Sequence, residues 1–218
     1  MESSDRPPSR SKALAAIEES VSVYRRLAEA RPDAVLPKLA SSLNEQAERL
    51  GALGRRESAL AAVEEAVAIR RRLVAANADA FLPDLAESLN EMSVRLGKLG
   101  RREDALAAIE EAASVYRGLA GARPDAFLLY FATSMNDTAT WLRELGRPEQ
   151  ARSTIEDAIY TTLPALELRS DSLPGSGHVL LQSYFELCEE VEQEPEDEIM
   201  QRMSDVLAAA GLLPSEDP

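Results

Sequence analysis

The chain has 218 residues, 45% of them apolar but only 5% aromatic, and a formal charge of −14 from 38 acids against 24 bases. That length suits one sizeable domain or one continuous array rather than two large domains. The acid excess disfavours nucleic acid and anionic membrane surfaces as ligands, since both require a basic footprint.

The first residues, "MESSDRPPSR", are polar and lack the apolar segment of a signal peptide, so residues 1–10 read as a disordered N-terminus. From there the alphabet is Ala, Leu, Glu and Arg, residues that lose little side-chain freedom in a helix. No alternation of β-branched and polar residues reads as a strand. "ALAAIEES" at Ala13 opens a helical stretch, and the same phrase returns as "ALAAVEEA" at Ala59, "ALAAIEEA" at Ala105 and "ARSTIEDA" at Ala151. Each copy begins 46 residues after the last. A second register agrees, with Asn44, Asn90 and Asn136 inside "SLNE", "SLNE" and "SMND". A period of this size is the mark of a stacked repeat.

Each unit reads as a helix pair. Leu39, Leu43, Ala47 and Leu50 make an apolar stripe at helical spacing, and Gly54 supplies a C-terminal cap. "RRES" turns the chain, and Ala59, Leu60, Val63, Ala66, Val67 and Leu73 carry the second stripe. "RPD" at Arg31 and again at Arg123 marks the return turn, with Asp33 and Asp125 expected as N-caps. Pro37 and Pro83 are then expected in the first turn of the helices that follow, where a missing N–H costs little. Helices of about 18–20 residues follow from the spacing. A lone pair buries one stripe only, so the pairs must stack.

The expected organisation is a half-unit at 11–32, units at 33–78, 79–124 and 125–168, a loop at 169–176, a degenerate capping pair at 177–211 and a disordered tail at 212–218. The loop reading rests on "LRSDSLPGSGH", whose Pro174, Gly175 and Gly177 break the helical pattern. "VLLQSYFELCEEVEQ" falls at the register of a first helix, and Pro195 is expected to start the final one. The fold class is therefore all-α, an α-solenoid of about nine helices in antiparallel pairs.

These residues resemble the tetratricopeptide repeat family. Its first-helix pattern matches Leu43, Gln46, Ala47 and Leu50, then Leu89, Met92, Ser93 and Leu96, then Met135, Thr138, Ala139 and Leu142. Its turn glycine matches Gly54, Gly100 and Gly146, and its second helix matches Ala59, Val63 and Ala66 with their two repeats. A unit of 46 residues is longer than that family's usual one, and aliphatic residues replace its aromatics. The chain is thus similar to the long-helix branch, of which kinesin light chain repeats are an example.

No catalytic set emerges. His178 is the only histidine and Cys188 the only cysteine; ten residues separate them, nearly three helical turns, so they are not hydrogen-bond neighbours on one helix. Cys188 reads as a buried structural thiol, and as the only cysteine it has no partner for an intrachain disulfide. "LPGSGH" lacks the lysine of a phosphate loop, and the acids from Glu186 to Glu198 lack the loop of a calcium site. No metal or other cofactor is expected, and no enzyme activity. The turn arginines Arg55, Arg56, Arg101 and Arg102 read as partners for acids on neighbouring units.

The resemblance implies that first helices line the ligand-binding groove. Their outward positions are Asn44, Glu45 and Glu48, then Glu87, Asn90, Glu91 and Lys98, then Asn136, Asp137, Thr140 and Arg143, then Gln182, Glu186, Glu189 and Glu190. Amides can both donate to and accept from a peptide backbone, and the carboxylates would favour Lys or Arg side chains. Equally, the asparagines fill polar gaps between stacked helices. The expected function is a cytoplasmic protein-interaction scaffold for a protein or basic extended peptide. The alternatives are a self-assembling module, since the half-unit at 11–30 exposes the face its missing first helix would cover, or a regulatory segment of a larger signalling system.

Overall fold

The computed structural model describes residues 10–168 and 174–209. Among them lie α1 (Arg10–Ala30), α2 (Pro32–Ala52), α3 (Arg56–Ala76), α4 (Ala78–Lys98), α5 (Arg102–Ala122), α6 (Pro124–Glu144), α7 (Pro148–Leu168), α8 (Pro174–Glu190) and α9 (Asp197–Ala209), and no strand. The fold is the all-α repeat type, helices packed in sequence as antiparallel pairs. Helices α1 to α7 are all 21 residues long, slightly longer than the spacing suggests, and those of one kind start 46 residues apart.

Contacts divide the chain into two compact units, 1–101 and 102–218. In the first, α2 packs on α1 and α3, and α4 packs on α3 and α2. Its core is the pair of stripes read from the sequence, with Leu43, Ala47, Val63, Ala66 and Leu89 fully buried. In the second, α6 packs on α5, α7 and α8, and α9 closes against α7 and α8. Phe131, Ile155, Ile159, Leu163, Tyr184 and Ile199 are its fully buried centre.

The first helices end alike. Gly54, Gly100 and Gly146 all take positive φ, at 75°, 76° and 73°. In that conformation the N–H of Arg55 donates to the Leu50 carbonyl at 2.9 Å, and Arg101 and Arg147 donate likewise to Leu96 and Leu142. The same closure ends α8, where the N–H of Gln193 donates to the Cys188 carbonyl at 3.0 Å. There the left-handed residue is Glu192, at φ 54°.

Four local expectations are corrected. Asp33 and Asp125 are not N-caps: the helices start one residue earlier, at Pro32 and Pro124, and the two acids sit in the first turn against the positive end of the helix dipole. The cap position belongs to Arg31, Asn77 and Arg123, of which Asn77 accepts from the Ala80 N–H at 3.3 Å. Pro37 and Pro83 are each the sixth residue of their helix, so each removes a backbone bond to the residue four before it. Pro174 begins α8 rather than interrupting it, and α9 starts at Asp197, after Pro195. A proline at the first helical position costs nothing, because its N–H would have no partner there. Arg10 is already helical; the rest of the expected N-terminus, residues 169–173 of the expected loop and the C-terminal tail lie outside the described residues.

Candidate functional site

The eleven candidate positions fall on first helices, Asn44 to Glu91 in the first unit and Asn136 to Glu186 in the second. Asn44, Asn90, Glu91, Asn136 and Asp137 are half-buried, and Glu45, Glu48, Glu87, Thr140, Gln182 and Glu186 are exposed.

In the first unit, Asn44 Oδ1 accepts from Ser88 Oγ at 3.0 Å. Ser88 is buried and accepts in turn from Arg70 Nη1 at 2.6 Å. Arg70 lies on α3, 3% exposed, and also donates to the Asp84 carbonyl and pairs with Glu87 at 3.6 Å. A buried cation, a hydroxyl and an amide thus form one chain from α3 through α4 to α2, which satisfies a guanidinium that could not otherwise be buried. Asn90 also has a partner.

The acids are partly neutralised by their own helices. Glu45 pairs with Arg49 at 3.5 Å, and Glu91 accepts from Arg95 Nε at 2.5 Å. Arg95 is buried because its guanidinium lies over Gly51, where any Cβ would collide with Nη1. Burial pushes the Glu91 carboxyl above its usual range, Arg95 and Lys98 pull it down, and the charge of Glu48 adds to the rise. Glu48 itself is exposed.

In the second unit, Asn136 accepts from Ser183 Oγ, and Thr140 donates to the Asn136 carbonyl at 3.0 Å. Asp137 is half-buried, and burial raises its carboxyl pKa. Gln182 donates to Glu186 at 3.3 Å, and Arg143 reaches across to Glu190 at 2.6 Å and Glu186 at 3.8 Å. Asn136, Thr140, Gln182 and Glu186 come together, with Arg143 and Ser183, around a cleft of about 220 Å³ between α6 and α8. Asp137 is not among its lining residues.

Of the four turn arginines named above, Arg102 pairs with Glu144 at 2.8 Å; alongside it Arg147, from the next turn, pairs with Glu103 at 2.6 Å. His178 is exposed on α8 and Cys188 is buried. Among the described residues no His, Cys, Asp and Glu cluster could hold a metal, and no helix is long and apolar enough to cross a membrane.

Sequence reading missed the serines and the buried arginines. The signal was present: Ser42, Ser88 and Ser134 stand two residues before each asparagine, and Arg70 occupies the register of Tyr24 and Tyr116. A polar residue at an aromatic's position is informative when its neighbours bury it.

Residues 39–77 and 85–125 match the tetratricopeptide repeat family. Over those residues the chain carries tetratricopeptide repeats. Its fold is similar to a point variant of a Podosopora anserina protein described as a kinesin light chain with nearly identical TPR-like repeats, at TM-score 0.61 and 18% identity over 93% of this chain and 88% of that one. A second structure of those repeats gives TM-score 0.54 at 17% identity, covering 96% and 98%. BtubC (BKLC) from P. vanneervenii gives 0.53 at 17%, covering 94% and 85%. At such identities the likeness is one of fold. No curated protein matches the chain.

Proposed function

We propose that this tetratricopeptide-repeat chain is a non-enzymatic scaffold whose first helices take up an extended, basic segment of a partner protein. Repeats of this kind are generally protein-interaction modules, and the chain carries 14 more negative charges than positive ones. The observation that carries the reading is the cleft between α6 and α8, where amide, hydroxyl and carboxylate groups converge in about 220 Å³.

The hydrogen bonds refine the role of each group. Asn44 and Asn136 accept from serines through their carbonyl oxygens, so the amide N–H groups are what they offer to a peptide carbonyl. Glu45 and Glu186 hold their arginines loosely, at 3.5 Å and 3.8 Å, and both are exposed. A lysine or arginine of the partner can exchange for such a contact at little cost. Glu87, exposed and 3.6 Å from Arg70, is held as loosely, whereas Glu91, tied to the buried Arg95, gives charge rather than contact.

The test is a binding titration with a fluorescent lysine-rich peptide and a glutamate-rich peptide of equal length. The lysine-rich peptide should bind in a salt-sensitive manner, and the combined substitution Glu45→Lys, Glu48→Lys and Glu186→Lys should weaken it by roughly tenfold or more. Equal affinity for both peptides, or no change on charge reversal, would end the acidic-groove reading.

A further inference from the structure

One face of α1 stands open. Leu14, Ile17 and Val21 are buried against the first unit, whereas Leu27 is 49% exposed. The residue at the same register in α3, Leu73, is only 7% exposed. Ala16 and Ser20 are likewise exposed, while their counterparts Ala62 and Ala66 are buried. An open cleft of about 270 Å³ runs over Ala16, Glu19, Ser20, Val23 and Tyr24. Among the described residues no helix lies along this face as α2 lies along α3.

Its residues are spaced for a helix of a particular kind. Ala13, Ala16, Ser20, Val23, Leu27 and Ala30 step by three and four alternately, the seam of a two-helix coiled coil. The Ser20 hydroxyl is already engaged, donating to the Ala16 carbonyl at 3.0 Å, so it brings no unmet donor to an interface. If two copies of α1 cross antiparallel about a two-fold axis between Val21 and Ser22, Leu27 meets the second copy's Ala16 and Val23 meets its Ser20. Large then packs on small at each layer. A parallel pairing would set Leu27 on Leu27 and Ala16 on Ala16, crowding one layer and hollowing another.

The flank agrees. Glu19 and Arg26 are exposed on the edge of the seam that faces away from the core, one turn either side of that axis. Antiparallel pairing places each Glu19 beside the second copy's Arg26, giving two symmetric ion pairs. An isologous contact needs this self-complementarity.

We propose that this face of α1 is the surface on which two copies of the chain pair, antiparallel about a two-fold axis. One helix face is a small interface, so the pair is weak, micromolar rather than nanomolar. The experiment is sedimentation equilibrium over a wide concentration range on the whole chain, with Glu19→Arg and Arg26→Glu as single variants. Both substitutions are on exposed residues, and circular dichroism should show unchanged helix content. The wild-type mass should rise toward the dimer, each variant alone should stay monomeric because like charges oppose, and an equimolar mixture of the two should associate again. A wild type that remains monomeric at the highest concentration, variants that associate as well as the wild type, or a mixture that fails to recover would each overturn the proposal. The first-helix cleft plays no part in this contact, so the peptide titration can fail without affecting it.

Discussion

Glu192 shows what a single residue does within a repeat. Three turns place glycine in the left-handed conformation, and the fourth forces a side chain into it. That conformation costs an ordinary residue roughly 1–2 kcal/mol, and glycine recovers part of it while losing more chain entropy on folding. Glu192→Gly should therefore stabilise the protein by about 0.5–1 kcal/mol, read as a higher urea midpoint at unchanged slope. A lower midpoint would mean that the Glu192 side chain contributes more than its backbone costs.

Asp137 makes a second residue-scale case. Burial raises its pKa in the folded protein, so folding favours the protonated form. The stability penalty is absent below the ordinary aspartate range, about 3.9, and develops as pH rises through the raised value. Asp137→Asn should accordingly stabilise the fold at neutral pH, with the gain vanishing toward pH of about 3. Urea midpoints at the two pH values check this, and an equal gain at both would show that charge is not the cause.

Between helices, polar ties recur with the period. Arg25 on α1 pairs with Glu65 on α3, and Arg117 on α5 with Asp157 on α7, both at 2.5 Å. These pairs are exposed and contribute little each. The tie that fixes the last helix is different: Tyr160 on α7 donates to Glu196 at 2.9 Å, and the Glu196 N–H donates to the Tyr184 hydroxyl at 3.0 Å. The segment before α9 is thus pinned to α7 and α8. The hydrogen bond to Glu196 and burial push the Tyr160 phenol up to about 12. Folding holds that proton, so stability falls as pH climbs from the ordinary value of 10.0 toward about 12. In an ultraviolet titration Tyr160→Phe should remove a late-titrating phenol, and Glu196→Gln should bring that phenol down toward 10.

Over the whole chain there are two compact units, each with its own buried centre. A cavity made at Leu43 in the first or Phe131 in the second should cost about 2–5 kcal/mol. Repeat proteins spread such damage mainly to neighbouring helices. Leu43→Ala should then speed amide exchange most in α1 to α4, and Phe131→Ala most in α5 to α9. Uniform acceleration throughout by either variant would show that the units unfold as one.

Residue order alone sets the period, the helix pairs, the buried stripes and the turn glycines. These depend on residue spacing and local conformational preference, which every unit restates. It placed helix starts less well: at Asp33 and Pro174 capping and proline signals compete within a few residues, and the closing backbone bonds decide. The candidate positions were legible as first-helix residues, yet their chemistry was not. Only the tertiary structure showed that Asn44 is held by Ser88 and Arg70, that Arg95 rests on Gly51, and that Asn136, Thr140, Gln182 and Glu186 share one cleft. Those relations join residues on different helices, 18 positions apart for Arg70 and Ser88 and 44 for Asn44 and Ser88, where only packing can set the distance, burial and partner on which a polar group's behaviour depends.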